Sequence, residues 1–580
     1  MSLLERIEAP AGEEEIEPGK RLIRARGGLG SSLPQRLSRR FRRLAWRMPL
    51  HRLRLGARLP LKLLAVPKDP IAGDKAAGLQ IIRGTISFGG QSKGLAKIDF
   101  NDAAMAPHLS DHLQTFAWLR DLAAAATRER ASQLCEHVVQ AWLSQCSSEV
   151  TERGWRPDLL AQRIFFWAAY APYILSSRDL AYRSAVLNAM ARGARHLERS
   201  ADKTPPGARR IAAWCGVIAS SLVIQGGPAR LARGEAGLGR SLADALHDDG
   251  GLVSRSPAEQ LALVEALAQL RSVYAASRKQ LPEAVAGALA ASARALLGAT
   301  LGEGALSSWQ SGNMVSAARV AAAVEGTAQP VRPLRQARGW GYQRLEAKKT
   351  VLVLDAAPPP PARAISGGCA STLAFEMSDG PHRLIVNCGG VGEAAGALPA
   401  EIVQALRTTA AHSTLTVGDR NSTAVQEDGS LGKGVSQVEI SRDDHGGIHR
   451  VEASHDGYAR RFGLIHRRRL ELSGDGLELK GEDLLEVRGK RRRLGELGFA
   501  VRFHLGSSVE VTSTADGQGA LLRVRGGRAW RFRCRGGSLS IEESLCLDGA
   551  ANPHRTQQLV VAGEVPRDGA AVAWSFKRDG

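Results

Sequence analysis

The sequence predicts an α+β chain of more than one domain, a helical layer followed by an antiparallel β-sandwich, with a basic arm in front. Three observations carry this. The chain has 580 residues, too many for a single hydrophobic core. Between Pro107 and about Ala323 apolar residues recur at helical spacing, and from Gly339 onward the apolar period drops to two, the period of a strand.

The arm covers residues 1–68. It opens on an acidic patch (Glu13, Glu14, Glu15, Glu17) and runs through Gly-rich RARGGLGSSLP, a composition that predicts disorder over residues 1–34. In residues 35–64, Leu37, Phe41, Leu44 and Met48 recur at i, i+4, i+7 and i+11 among five arginines. That spacing predicts a basic amphipathic helix ending before Pro49. It suits an anionic membrane surface, with Trp46 as an interfacial ring, and equally a docking face on the protein's own body. The net charge is +20, and the 15 Lys and Arg between Lys20 and Lys68, with no acid among them, account for three quarters of it. The body is only mildly basic, so the charge does not imply nucleic acid as a partner.

Asp69–Phe100 reads as a few short strands. The helical domain is placed at 69–328. Leu160, Ile164, Trp167 and Ala171 mark one helix face, and Leu263, Leu267, Leu270 and Tyr274 another. Short polar joints such as SADKTPPG and HDDGG predict successive antiparallel helices. The β domain is placed at 339–580, with strands read in YQRLEA, KTVLVLDAA, STLAFEM, RLIVNCG, STLTV and SQVEI. LLRVRGGRAWRFRC predicts a hairpin in which Leu522 and Val524 face Trp530, Phe532 and Cys534 across Gly526-Gly527. PPPP at 358–361 reads as a rigid loop. Seven cysteines lie scattered from Cys135 to Cys546 without a CxxC pair, which predicts neither a disulfide framework nor a cysteine zinc site. No apolar stretch reaches the length of a membrane span, and no secretory signal pattern opens the sequence.

Chemistry concentrates in two stretches. In RTTAAHSTLTV, His412 stands just before a strand, with Arg407 five residues earlier. In ASHDGYARRFGLIHRRRL, His455, Tyr458 and His466 fall within twelve residues, followed by three arginines. Histidine and tyrosine exchange protons, histidine also ligates metals, and arginine holds carboxylates or sulfates bidentately. These are parts for work on an acidic substrate.

Those stretches, with FEMSDGPHRLIVNCGG and DDGGLVSRSP, resemble the heparinase II/III-like polysaccharide lyases, over about Asp69 to Lys577. The resemblance implies an N-terminal incomplete α/α toroid followed by a C-terminal antiparallel β-sandwich. It also implies a carbon–oxygen lyase that cleaves an acidic, uronate-containing polysaccharide by β-elimination. That reaction needs a neutraliser for the uronate carboxylate, a base for the proton beside it and an acid for the departing oxygen. By resemblance His412 is catalytic or metal-coordinating; from the residues around it, Arg407 is read as the carboxylate partner, Tyr458 as the acid, and His466 as a residue lining the cleft. His455 falls where some relatives place a zinc ligand, so a divalent site from His412, His455 and either Asp419 or Asp428 is expected. The family's work implies the cell envelope. The absent signal and the cysteines fit instead the cytoplasmic face of the inner membrane.

The helical half departs from the family pattern. Relatives carry an Asn, often beside a His, in one toroid helix and a Tyr in a later one. Here LVSRSPAEQLAL has Glu259 and Gln260 where Tyr and His are expected, and GARRIAAWCGVIASS has no Asn but Arg209 and Arg210. Either a different constellation serves, with Glu259 in catalysis and Arg209, Arg210 and Arg255 on the substrate, or the reaction is lost and a non-catalytic glycan-binding or envelope-assembly protein remains. GGLGSS at 27–32 lacks the lysine of a phosphate loop, and SWQSGN at 308–313 reads as a helix start.

Overall fold

The computed structural model describes residues 16–25, 55, 62–224, 227–365, 367–390, 392, 398–488 and 496–579. The amphipathic helix expected at 35–48, and the membrane contact expected through 35–64, fall almost wholly outside the described residues. One part of the arm departs from expectation. Gly19–Arg24 forms a strand, β1, paired antiparallel with residues 437–445 of the β domain. Local composition argued for disorder, but a distant sheet edge supplies the backbone partners. Glu17 fastens the segment further, pairing with Arg338 at 2.6 Å and exchanging main-chain bonds with the Gln336 side chain.

The stretch after the arm is part helix, α1 (Lys75–Ile82), and part a small hairpin, β2 (Thr85–Phe88) with β3 (Gln91–Gly94). Among the described residues, ten helices of two turns or more follow: α2 (Pro107–Thr115), α3 (Trp118–Ala125), α4 (Arg128–Cys146), α5 (Pro157–Ala169), α6 (Leu180–Ser200), α7 (Ala208–Val223), α8 (Gly227–Ala245), α9 (Pro257–Ala276), α10 (Glu283–Gly298) and α11 (Ala317–Glu325). Helix α7 is buried on every side from Ile211 to Val223, and it packs against α5, α6, α8 and α9. A helix apolar all round has to sit inside. Gly216 permits the closest approach, because a Cβ there would lie 2.7 Å from the Ala161 Cα. Helix α9 begins where it does because Ser256 caps the Glu259 N–H and Pro257 takes the first turn. No helix among the described residues is long and apolar enough to cross a membrane.

The β domain contains β4 (Tyr342–Ala347), β5 (Thr350–Asp355), β6 (Phe375–Asp379), β7 (His382–Val386), β8 (Leu415–Val417), β9 (Gln437–His445), β10 (Ile448–His455), β11 (Leu464–Leu472), β12 (Glu478–Val487), β13 (Gly498–Leu505), β14 (Val509–Ser513), β15 (Gly519–Val524), β16 (Trp530–Arg535), β17 (Ser538–Leu547), β18 (Pro553–Glu564) and β19 (Gly569–Arg578). They form two antiparallel sheets. One runs β1-β9-β10-β11-β12-β19-β16-β15-β14; the other runs β17-β18-β13-β7-β6-β5-β4, with β8 paired to β13. The β15–β16 hairpin has Leu522 opposite Trp530 and Ala520 opposite Phe532.

Aromatic rings fill the space between the sheets: Phe375 of β6 stacks on Trp574 of β19 at 5.6 Å, and Phe503 of β13 meets Trp574 edge-on at 4.8 Å. Gly481 makes room for Trp574, whose ring would lie 2.1 Å from a Cβ at that position. Arg442 of β9 donates to the Arg344 carbonyl of β4 at 2.8 Å, and β14 touches β18. The β1 end of one sheet therefore overlies the β4 end of the other, and the β14 end overlies β18.

Helical and β domains are joined by a polar, buried seam. Arg255, just before α9, donates to the carbonyls of Trp340, Ala357 and Pro358 and pairs with Asp355 of β5 at 2.6 Å. Asp249 accepts from the main-chain N–H groups of Gly339 and Trp340. The expected helix start in SWQSGN is instead a seam loop: Gln310 and Ser311 both hold left-handed φ (48° and 64°). The loop is pulled from regular helix by partners in the β domain. Gln310 donates to Ser371 and accepts from the Cys369 N–H, while the Gly390 and Gly392 N–H groups donate to the carbonyls of Gly312 and Ser311.

Candidate functional site

His412 lies beside this seam, between a 3-10 turn at Thr409–Ala411 and β8. It is 2 % exposed. Its Nδ1 is 2.7 Å from the Thr408 carbonyl, so Nδ1 donates and the lone pair remains on Nε2. Burial pushes its pKa down to about 4, against the opposing pull of Thr408 and Asp355. The ring is thus neutral near pH 7 and able to accept a proton.

The following residue, Ser413, is fixed from four directions. Its N–H donates to Asn387 Oδ1 (3.0 Å), its Oγ donates to the Val386 carbonyl (2.7 Å) and accepts from the His504 N–H (3.0 Å), and its carbonyl accepts from Arg468 (2.8 Å). Asn387 in turn donates to Glu376, which also accepts from the Ser308 N–H of the seam loop. His504 donates from Nε2 to the Ala410 carbonyl at 2.9 Å. The loop carrying His412 is therefore set by groups from both sheets and from the helical domain.

The other residues expected beside His412 are engaged elsewhere. Arg407 is not a carboxylate partner. Its guanidinium donates to the carbonyls of Gly368 and Gly429 and to the Gln404 side chain, all near 3 Å, because these loop carbonyls have to find donors inside the protein. Tyr458 is not placed to act as an acid. It is 1 % exposed, its hydroxyl donates to the Leu415 carbonyl at 2.8 Å, and burial raises its pKa above the ordinary value. Arg255 is the interdomain clamp rather than a substrate group.

His466 does not line a cleft. It is fully buried on β11 and donates from Nε2 to Asp483 at 2.7 Å. Arg468 pairs with the same carboxylate through both its Nε and Nη2, and Trp574 Nε1 donates to it at 2.8 Å. Burial opposes the charge of Asp483, but Arg468 and His466 hold its pKa below the usual carboxylate range. Sequence reasoning missed Arg468, Asp483, Asn387, Glu376 and His504.

The expected zinc ligands do not fit a metal. His455 accepts the Gly457 N–H at its Nδ1 (3.1 Å), so its proton is on Nε2, which donates to His466 Nδ1 at 3.3 Å. A ligating nitrogen would need its lone pair there. Asp428 is exposed and accepts from Ser430 in its own turn, and Asp419 sits in an exposed turn at φ 52°. Among the described residues no group of three His, Cys, Asp or Glu is arranged to hold a metal ion.

In the helical half, Gln260 is locked inside, accepting from the Leu252 N–H and donating to the Gly250 and Ser292 carbonyls. Glu259 is half-buried; desolvation raises its pKa, against the fields of Ser254 and Arg209. Arg209 is 56 % exposed and lies 3.8 Å from Asp158, while Arg210 donates to the Thr204 carbonyl. Two recesses of about 250 and 390 Å³ lie away from the seam, against strands β9 to β12 of the nine-stranded sheet.

A helical domain leading into a two-sheet antiparallel sandwich is a fold this chain shares with solved heparinases. A solved heparinase III superposes with a TM-score of 0.63 at 13% identity, over 84% of this chain and 80% of that one. A heparan sulfate lyase HepC mutant from Pedobacter heparinus gives 0.58 at 14% identity, over 87% and 83%. Residues 329–575 match the family model "Heparinase II/III-like, C-terminal", so the β domain is similar to the C-terminal domain of that family. It is also 29% identical, over 91% of its length and 92% of the relative's, to "FtsZ-localized protein C" of Caulobacter vibrioides (strain NA1000 / CB15N).

Proposed function

We propose that this chain keeps the lyase fold as a non-catalytic module of the cell envelope, one that engages acidic glycan at the division machinery without cleaving it. One observation carries the reading: the groups expected to neutralise the uronate and to protonate the leaving oxygen, Arg407 and Tyr458, are both buried in bonds to main-chain carbonyls. Elimination needs those two roles as well as a base, and the helical half has Glu259 and Gln260 where the family has its Tyr and His. The similarity along nearly the full length to a relative named for its localisation with FtsZ supports the division association.

His412 favours the second reading, an active lyase, because its Nε2 lone pair is available as a base. Sizing a panel of uronate-bearing polysaccharides after prolonged incubation with the protein separates the two. Full-length chains, with measurable binding of at least one of them, support the module. Shortened chains restore the lyase. A fluorescent fusion tests the division association: uniform distribution around the envelope through the cell cycle removes it.

A further inference from the structure

The two sheets of the sandwich leave unpaired strand edges on opposite sides of the molecule, and the edges differ in charge. On one side stands β1, hydrogen-bonded only to β9 among the described residues. Its sequence is GKRLIR, with Lys20, Leu22 and Arg24 exposed. Leu22 is 44 % exposed, one of few large apolar side chains open to water. On the other side stands β17, whose strand partner among the described residues is β18. Its far end is covered where the Leu547 N–H bonds the Cys388 carbonyl. From Ser538 to Ser544 it presents Glu542 and Glu543 to solvent, with Leu539 and Ile541 half-buried between the polar residues. The β4 end of the second sheet offers no third edge of this kind, since β4 is buried at five of its six residues against the helical domain.

An unpaired edge is a row of N–H and C=O groups that a further strand can complete. Lysine and arginine along an edge deter an identical basic edge and accept an acidic one. Because β1 overlies the β4 end of the sandwich and β17 lies beyond the β14 end, one molecule carries the two complementary edges at opposite extremes. A contact between unlike patches on opposite sides does not close on itself; it propagates.

We propose that this chain assembles head to tail, β1 of one copy adding to β17 of the next, to form an open filament in which the two sandwiches share a continuous sheet. The occupant of each edge is a second copy of this chain. In antiparallel register Leu22 meets Ile541 and Lys20 meets Glu543 on one face of the shared sheet, while Glu542, 3.4 Å from Arg502, points to the other face. The inference stands apart from the glycan reading, because neither edge belongs to the seam around His412.

Sedimentation velocity of the full chain over a rising concentration series, at low ionic strength, tests this. The expected result is a mass that climbs past the dimer and falls back as salt is added. Lys20→Glu with Arg24→Glu, and separately Glu542→Lys with Glu543→Lys, each raise the concentration needed for assembly at least tenfold. An equimolar mixture of these two variants regains contact, because the reversed acidic β1 of one meets the reversed basic β17 of the other and the intact β1 meets the intact β17. Wild-type protein that stays monomeric, that stops at a closed dimer, or that assembles unchanged by either pair of reversals overturns the proposal, as does a mixture that fails to regain contact.

Discussion

Arg468 of β11 donates a hydrogen bond of 2.8 Å to the carbonyl of Ser413, the residue next to His412, while its other nitrogens hold Asp483. The ion pair in the centre of the sandwich thereby fixes the main chain beside the one retained proton-accepting side chain. Removing Arg468 would leave the Asp483 charge buried and short of its main partner, a loss of about 3–5 kcal/mol. Arg468→Met is expected to unfold in chemical denaturation at a far lower midpoint than wild type, with Asp483→Asn with Arg468→Met recovering part of the difference.

The Arg255–Asp355 pair holds the two domains together. Arg255→Ala should therefore do more than lower stability. Calorimetry is expected to resolve the helical and β domains into separate transitions where wild type gives one. A single transition merely shifted in temperature would show that the rest of the seam suffices.

His412 and His504 are both buried, at 2 % exposure each, with pKa values pushed by burial from 6.5 to about 4 and about 3. The unfolded chain takes up these protons first. Stability is therefore full above pH 6.5 and falls as the pH drops below it, by up to about 1.4 kcal/mol per pH unit for each ring, until the folded-state values are reached. Denaturant midpoints measured from pH 7.5 to 4.5 check the slope, and His504→Gln should flatten it.

Tyr458→Phe removes one buried hydrogen bond, and a loss of about 1 kcal/mol is expected. Glycan binding should be unchanged. A tyrosine acting on substrate would instead show a binding or turnover defect at unaltered stability.

The change of apolar period at the domain boundary made the two-layer order legible, and the Leu522–Trp530 hairpin was readable from its Gly-Gly turn. The site was less so, for a physical reason. HRRRL reads as a basic run, yet alternation along β11 sends His466 and Arg468 inward with Leu464, Leu470 and Leu472, and Arg467 and Arg469 outward to Glu452. The period-two pattern held that signal, and a histidine and an arginine on a buried face require an acid partner; its identity as Asp483 depends on the β11–β12 register. Arg407 could not be assigned from sequence, because its partners are loop carbonyls brought together only by the fold. β1 escaped for the same reason, its strand state being set by pairing with residues more than four hundred positions away.

Whether the seam around His412 performs elimination decides between module and enzyme. Each β-elimination of a uronate leaves an unsaturated sugar that absorbs in the ultraviolet. Absorbance should be followed with excess protein over a panel of acidic polysaccharides, for wild type and His412→Ala side by side. The result expected here is a flat trace for both proteins on every glycan. A rise with wild type that His412→Ala abolishes would contradict the account and make the chain a working lyase.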